Sequence, residues 1–280
     1  MISIEQIVAE VDDLPSLPHV TIQVAKLAND PNSVAQDIGQ VIMQDQSLTT
    51  KVLRLANSAY YGFPRRISTV TEATVLLGFN TIKSIVMAAS VNDIMSSEIQ
   101  GYALPRGELW RHSQAGAFTA SFIAKKAKFR SPDLAYTGAL LHDIGKVILN
   151  HYLEKTYHDV VDLIHNEKID FSEAERRVLG FTHAEVGAKV AEQWNLPEEL
   201  VEAIEFHHEP AKASLNPRLT AIVHLADAIC MTMGIGLGID GLCYMFDEKA
   251  LSILNIEAND MDSIIAHLSD MFSDENGFLL

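Results

Sequence analysis

The stretch Ala139-Leu140-Leu141-His142-Asp143-Ile144-Gly145-Lys146 sets an imidazole, a carboxylate and an ammonium inside an otherwise apolar run. On a helix, His142 and Lys146 are four residues apart and Asp143 and Lys146 three apart, so all three lean toward one patch. Adjacent His and Asp are suitable ligands for a hard or borderline metal, and the nearby Lys suits an anion such as phosphate. Taken alone, the pair also reads as a helix-end cap or a buried hydrogen-bonded couple. The surrounding chain widens the reading: Glu108-x-x-x-His112 lies upstream, and Thr182-His183, the doublet His207-His208 and Leu225-Ala226-Asp227 lie downstream. Each has a plain structural reading of its own. His183 can be an exposed residue at a helix start, His207-His208 can answer a helix C-terminal dipole, and Asp227 can cap or pair. As an ordered set, including a doublet and a His-Asp pair, they point to a metal site.

Composition bounds what such a site can serve. With 280 residues, 48% of them hydrophobic and 21% charged, the chain can bury a core and divides into one or two globular domains. A formal charge of −16 repels phosphate backbones and excludes nucleic acid as a bulk partner. Cys230 and Cys243 are the two cysteines, too few for a disulfide framework or a thiolate metal site, which fits a reducing compartment. The first residues, Met1 to Val11, lack the basic start and apolar core of a signal peptide. No uncharged apolar run reaches the roughly 18 residues of a membrane span, so the expectation is a cytoplasmic protein with no membrane partner.

Helical periodicity dominates the chain. Ile4, Ile7, Val8 and Val11 begin it; Val20, Val24 and Leu27 form a second stripe ending near Asn29-Asp30-Pro31. Ser33 is placed to cap a helix reaching Gln44, Asp45 one reaching Ala56, Thr69 or Thr71 one closed by Gly78, and Asn80 the next. After a break at 101–105, a long helix is expected from Arg106 to about Lys128. Ser131-Pro132 then opens a helix running without interruption to about Asn150. Further helices are expected at about 152–167, 172–179, 182–194, 197–208 and 217–233, with Thr182-x-x-Glu185 a capping box. Residues 233–241 are Gly-rich and read as a packed bend, and 247–274 as two closing helices. No stretch alternates long enough to demand a strand.

The first half resembles the HDOD domain, the HD-related output domain of bacterial signalling proteins. The likeness rests on Leu14-Pro15-x-Leu17-Pro18, on Asp45-Gln46-Ser47-Leu48-Thr49-x-Lys51-Val52-Leu53-Arg54-Leu55-Ala56-Asn57-Ser58, and on Glu72-Ala73-x-x-x-Leu77-Gly78. The ordered His and Asp series of the second half resembles the ligand pattern of the HD superfamily of metal-dependent phosphohydrolases. That resemblance implies an all-α fold, a multi-helix HD core with an N-terminal helical region packed against it. The implied segments are 1–104, 105–233 with the metal site, and a C-terminal extension at 234–280.

Carried over by the same resemblance, His112, His142, Asp143 and Asp227 hold one metal. Asp143 bridges to a second held by His183, His207 and His208, as in the related HD-GYP phosphodiesterases. Glu108 matches an additional acidic ligand and Lys146 a phosphate-contacting lysine; Asp143 and Lys146 are the candidate catalytic residues. Between Pro210 and Pro217 there is no Gly-Tyr-Pro element, so the cyclic-dinucleotide specificity of that family does not transfer. Imidazoles and carboxylates without thiolate suit a divalent transition metal, with two ions expected, Fe or Mn favoured, and Co, Ni or Zn compatible. The resulting expectation is a signal-transduction protein with a retained binuclear site, whose partner is a signalling protein or a small phosphorylated ligand. The alternative is a metal-dependent phosphohydrolase or phosphodiesterase acting on a nucleotide or other small phosphate ester.

One geometric tension accompanies this reading. In a plain hairpin turning near residue 130, His112 and His142 are offset by roughly 9 Å along the helices, so the helices must cross at an angle or be irregular. His19, His151, His158, His165, His224 and His267 match no motif and read as surface or core residues; Trp110, Phe118 and Trp194 read as packing.

Overall fold

The computed structural model describes Ile4, Ile7, residues 16–238, Gly241 and residues 246–273. Among them the regular elements are all helical, apart from a lone antiparallel bridge between Ile99 and Leu104. The all-α expectation holds. No described helix is long and apolar enough to cross a membrane. The chain divides into two compact units, one built on residues 16–93 and the other on residues 94–269.

The 16–93 unit comprises α1 (His19–Asn29), α2 (Ala35–Ile42), α3 (Gln46–Ala56), α4 (Val70–Leu77) and most of α5 (Phe79–Met95). Local chemistry sets its boundaries. The Asp45 carboxylate accepts the Leu48 amide and opens α3, the Thr69 hydroxyl accepts the Glu72 amide and opens α4, and Gly78 closes α4 at φ 83°. Ser33 does not cap α2. Val34 stands at that position, and Asp37 reaches back to accept its amide at 2.9 Å, because an anion in the first turn also answers the helix dipole. Val24, Ile38, Ile42, Val52, Ile82 and Val86 are buried in this unit, each contributing about 1.5–3 kcal/mol of burial. Gly39 permits the close approach of α2 to α4, since a Cβ there would fall 2.3 Å from Thr71 Oγ1.

The second unit runs through α6 (Glu108–Lys126), α7 (Pro132–Leu141), α8 (Ile144–Glu167), α9 (Phe171–Leu179), α10 (His183–Gln193), α11 (Glu198–Glu205), α12 (Pro217–Thr232), α13 (Lys249–Leu254) and α14 (Ala258–Ser273), the last continuing past it. Short 3-10 turns stand at Gln100–Tyr102 and Pro210–Lys212. At the centre lies α12, buried at every position from Leu219 to Met231 and packed on α6, α7, α11 and α13. A helix apolar on all sides belongs inside a bundle, and this one carries Asp227 into the interior with it.

Two expectations fail here. The helix from Pro132 is interrupted at His142-Asp143, and the expected break near residue 150 is absent because no Gly or Pro interrupts α8 there. The helix expected at residues 1–12 lies outside the described residues apart from Ile4 and Ile7, which are helical. Cys243 and the end of the Gly-rich bend also lie outside them.

Candidate metal centre

The break between α7 and α8 builds the site. The chain leaves α7 at Leu141, passes through His142 (φ −53°, ψ −34°) and Asp143 (φ −98°, ψ 7°), and restarts at Ile144. The helices are thus irregular here, and His112 and His142 do reach one interior, their ring centroids 5.4 Å apart. Gly145 follows immediately, and its missing side chain lets α10 close in: a Cβ there would fall 1.9 Å from the His183 carbonyl oxygen. His183 Nε2 thereby comes within 3.4 Å of Asp143 Oδ1.

Two groups of side chains meet around Asp143. On one side His112 Nε2 lies 3.0 Å from Asp227 Oδ1 and 3.8 Å from Asp143 Oδ2, with His142 Nε2 3.6 and 3.4 Å from the same two oxygens. On the other, His183, His207 and His208 converge, with His183 Nε2 and His208 Nε2 3.0 Å apart. Within each of the sets His112-His142-Asp227, His142-Asp143-His207 and His183-His207-His208, the potential ligand atoms all lie within 4.8 Å of one another. Bonds of about 2.0–2.2 Å to a common ion bring such atoms to comparable mutual distances. Seven of the eight residues assigned to the metal by resemblance come together in this way. Glu108 does not: it sits one turn before His112 in the first turn of α6, partly exposed, with its carboxylate 3.3 Å from Arg111 Nη1.

The imidazoles are aimed from behind. Nδ1 of His112 donates to the Ile235 carbonyl at 2.9 Å, that of His142 to Ala139 at 2.7 Å, and that of His207 to Ile204 at 2.7 Å. In His142 and His207 the Nε2 atom then faces the interior without a partner, the arrangement by which outer contacts fix a ligand's tautomer and orientation, whereas His112 Nε2 meets Asp227 Oδ1 at 3.0 Å. His183 is held by Glu175, fully buried, whose Oε2 accepts from His183 Nδ1 at 2.7 Å and from its backbone amide at 3.1 Å. Tyr102 donates its hydroxyl to the other Glu175 oxygen at 2.5 Å.

Electrostatics separate the members. Burial pushes the Asp143 carboxyl up, but His142, Lys146 and His183 together hold it well below the usual carboxylate range. Burial likewise opposes ionisation of Asp227, and His112 and His142 together overcome it and hold the carboxyl well below its usual range. Burial disfavours charge on His112 too, yet Asp227 raises its pKa to about 9. His207 and His208 are driven well below the ordinary imidazole value, first by burial and then by neighbouring imidazoles. Lys146 points its ammonium at Asp143 Oδ2, 2.7 Å away, and lies over the Tyr102 ring at 5.6 Å. A cleft of about 330 Å³ lies beside the cluster, lined in part by Lys146, Phe171, Arg176, His183, His208 and Asp227.

Three buried polar atoms here make no hydrogen bond: His142 Nε2, Asp143 Oδ1 and His207 Nε2. Leaving each unsatisfied costs about 1–3 kcal/mol, and a divalent cation among them recovers that cost. The residues present therefore fit a metal.

A family model for the HDOD domain matches residues 14–210. The chain belongs to the HDOD family. Among solved structures, an HDOD domain protein of unknown function from Geobacter sulfurreducens is 29% identical to this HDOD chain, covers 97% of it and 94% of its own length, and superimposes with a TM-score of 0.79. A candidate phosphohydrolase from Shewanella amazonensis SB2B is 24% identical over 95% of this chain and 93% of its own, with a TM-score of 0.72. A candidate signal transduction protein from Marinobacter aquaeolei VT8 is 22% identical, with a TM-score of 0.70 over 92% of this chain and 58% of that one. An uncharacterized protein of Treponema pallidum (strain Nichols) is 26% identical over 199 residues, 71% of this chain and 38% of that protein, so the chain spans well under half of that relative.

Several contributors were not expected from the sequence. Glu175 and Tyr102 carried no motif, and the Gly-rich bend gave no hint that the Ile235 carbonyl would hold His112. Gly236 allows that contact, since a Cβ there would fall 2.6 Å from His112 Cβ. His224 is a core residue: its Nδ1 donates to the His207 carbonyl at 2.7 Å, bracing the doublet.

Proposed function

We propose that this HDOD protein is a signalling regulator that retains a binuclear divalent-metal centre. His112, His142, Asp143 and Asp227 would hold one ion, and Asp143, His183, His207 and His208 the other. The supporting observation is the convergence of three buried, hydrogen-bond-free ligand atoms with imidazoles whose Nδ1 atoms are already engaged. The donor set, nitrogen and carboxylate oxygen, suits Fe or Mn, with Co, Ni or Zn compatible, better than Mg or Ca.

When bound, such ions supply Lewis-acid polarisation of a phosphoryl oxygen and a nucleophile at neutral pH. The chain's own residues do the rest. Lys146 sets a cation on the inner wall of the cleft, where it orients an anionic phosphate, and buried Phe171 walls that space from water. A phosphorylated small molecule is the ligand this arrangement fits. The lining also carries Asp170, Glu173, Glu185, Glu205 and Glu209 against Arg176 and Lys212, which pair with Glu185 and Glu209, and the acidic excess that is left disfavours a long polyphosphate and favours one compact phosphate group. The cleft beside Lys146 also supports the second reading, a phosphohydrolase acting on a small phosphate ester. The names of the Shewanella and Marinobacter proteins agree with one reading each, and at their identities they speak for the fold.

Elemental analysis after mild purification, combined with a phosphatase and phosphodiesterase panel, tests both. The expected result is bound transition metal that Asp143→Ala loses, with chelation altering stability or partner binding and no hydrolysis to lose. Hydrolysis of a phosphoester by the metal-loaded protein, abolished in Asp143→Ala, establishes the second reading instead. A wild-type protein that takes up neither Mn, Fe nor Zn overturns both.

A further inference from the structure

We infer that the face of the 16–93 unit around Arg54, Arg65 and Arg66 is a docking groove for an acidic peptide segment of a protein partner. The C-terminal half of α3 and the loop after it enclose an open groove of about 980 Å³. Its lining interleaves Leu53, Phe63 and Pro64 with the three arginines. Asn57 clamps the loop from behind: its amide nitrogen donates to the Leu53 carbonyl at 2.7 Å and the Ile67 carbonyl at 2.9 Å, and its oxygen accepts the Ile67 amide at 2.7 Å. Glu72 adds a second hold, accepting the Ser68 amide and pairing with Arg65, each at 3.1 Å. The loop is thereby preorganised, and ordering costs on docking fall mainly on the peptide.

Arg65 is already answered by Glu72. Arg54 and Arg66 are exposed and, among the described residues, meet no carboxylate. Residues 16–93 hold six Lys and Arg against five Asp and Glu, whereas the whole chain holds 21 against 37. The acidic excess therefore lies elsewhere in the sequence. Guanidinium forks grip carboxylates or phosphates bidentately, and a groove open along its side fits an extended segment better than an enclosed small molecule. The interleaved apolar residues select an apolar side chain between the peptide's anions.

The test is fluorescence anisotropy on the full chain, with a labelled peptide in which glutamates flank a leucine and a second in which phosphoserines replace the glutamates. Binding of either peptide that weakens as salt rises, and that falls by at least about tenfold in Arg54→Glu/Arg66→Glu, supports the inference. Lys155→Glu, an exposed charge reversal in the other unit, should leave that binding unchanged. If the reversal variant loses helical circular dichroism, the neutral Arg54→Gln/Arg66→Gln variant takes its place, with the same loss expected. Absence of binding by both peptides, undiminished binding by the variants, or tighter binding of an oligonucleotide of equal charge overturns it.

Discussion

Replacing Glu175 by Gln tests whether His183 is a ligand aimed by a buried carboxylate. The substitution keeps shape and volume and removes one charge from a fully buried position. It changes the acceptor that His183 Nδ1 reaches at 2.7 Å and its amide at 3.1 Å, and it gives Tyr102 an amide to meet at 2.5 Å. Hydrogen bonds to a charged group contribute about 1.5–3 kcal/mol and neutral ones about 0.5–1.5, so the hold on His183 weakens by roughly 1–2 kcal/mol. At about 1.4 kcal/mol per factor of ten, that is of the order of the 10–100-fold loss in metal affinity typical of outer-partner substitutions. Titration calorimetry with Mn or Zn should show one of two binding events weakened about 10–100-fold and the other unchanged, with the helical circular dichroism of wild type. A folded Glu175→Gln protein binding both ions as wild type does refutes the role given to Glu175. Wild type that binds neither ion refutes the metal centre itself.

Asp143→Ala should abolish metal binding and also destabilise the metal-free protein by about 3 kcal/mol in denaturant titration, because Lys146 loses the carboxylate 2.7 Å from its ammonium. Gly145→Ala should cost about 1–3 kcal/mol and weaken metal binding, since the added methyl must push α10 and His183 away; a thermal midpoint and metal affinity equal to wild type contradict the close approach. Glu202→Gln should cost about 2 kcal/mol, because that carboxylate accepts the amides of Ser214, Leu215 and Asn216 at 2.5, 2.8 and 2.7 Å. Burial pushes the Glu202 carboxyl up, but the amides of Asn216, Leu215 and Ser214 lower it overall. Its contribution is therefore full above the ordinary Glu range and lost as pH falls through the lowered folded value, and acid titration of wild type against Glu202→Gln should show the two stability curves converging there.

The amino-acid sequence determined the all-helical class and several helix ends, because those depend on interactions within about four residues: Asp45 and Thr69 as caps, the Thr182-Glu185 box and Gly78 as a stop all occur as read. It also carried the order of His and Asp residues, which is a property of the chain and needs no coordinates. Where local chemistry offered two acceptors, as at Ser33 and Asp37, the residue order did not choose between them. Only the tertiary structure decided which donors meet. His112 and Asp227 touch across 115 residues, and Tyr102 and Glu175 across 73. The break at His142-Asp143 follows the same rule. Apolar periodicity continues smoothly through that stretch, so nothing local marks it, and beside it Gly145 admits the close approach of α10. Glu108 shows the converse: one helical turn from His112 and shared polarity suggested a common target, but its carboxylate meets Arg111 at the helix start. Spacing along a helix specifies a face, and the packing of its neighbours determines which residues on that face reach the interior.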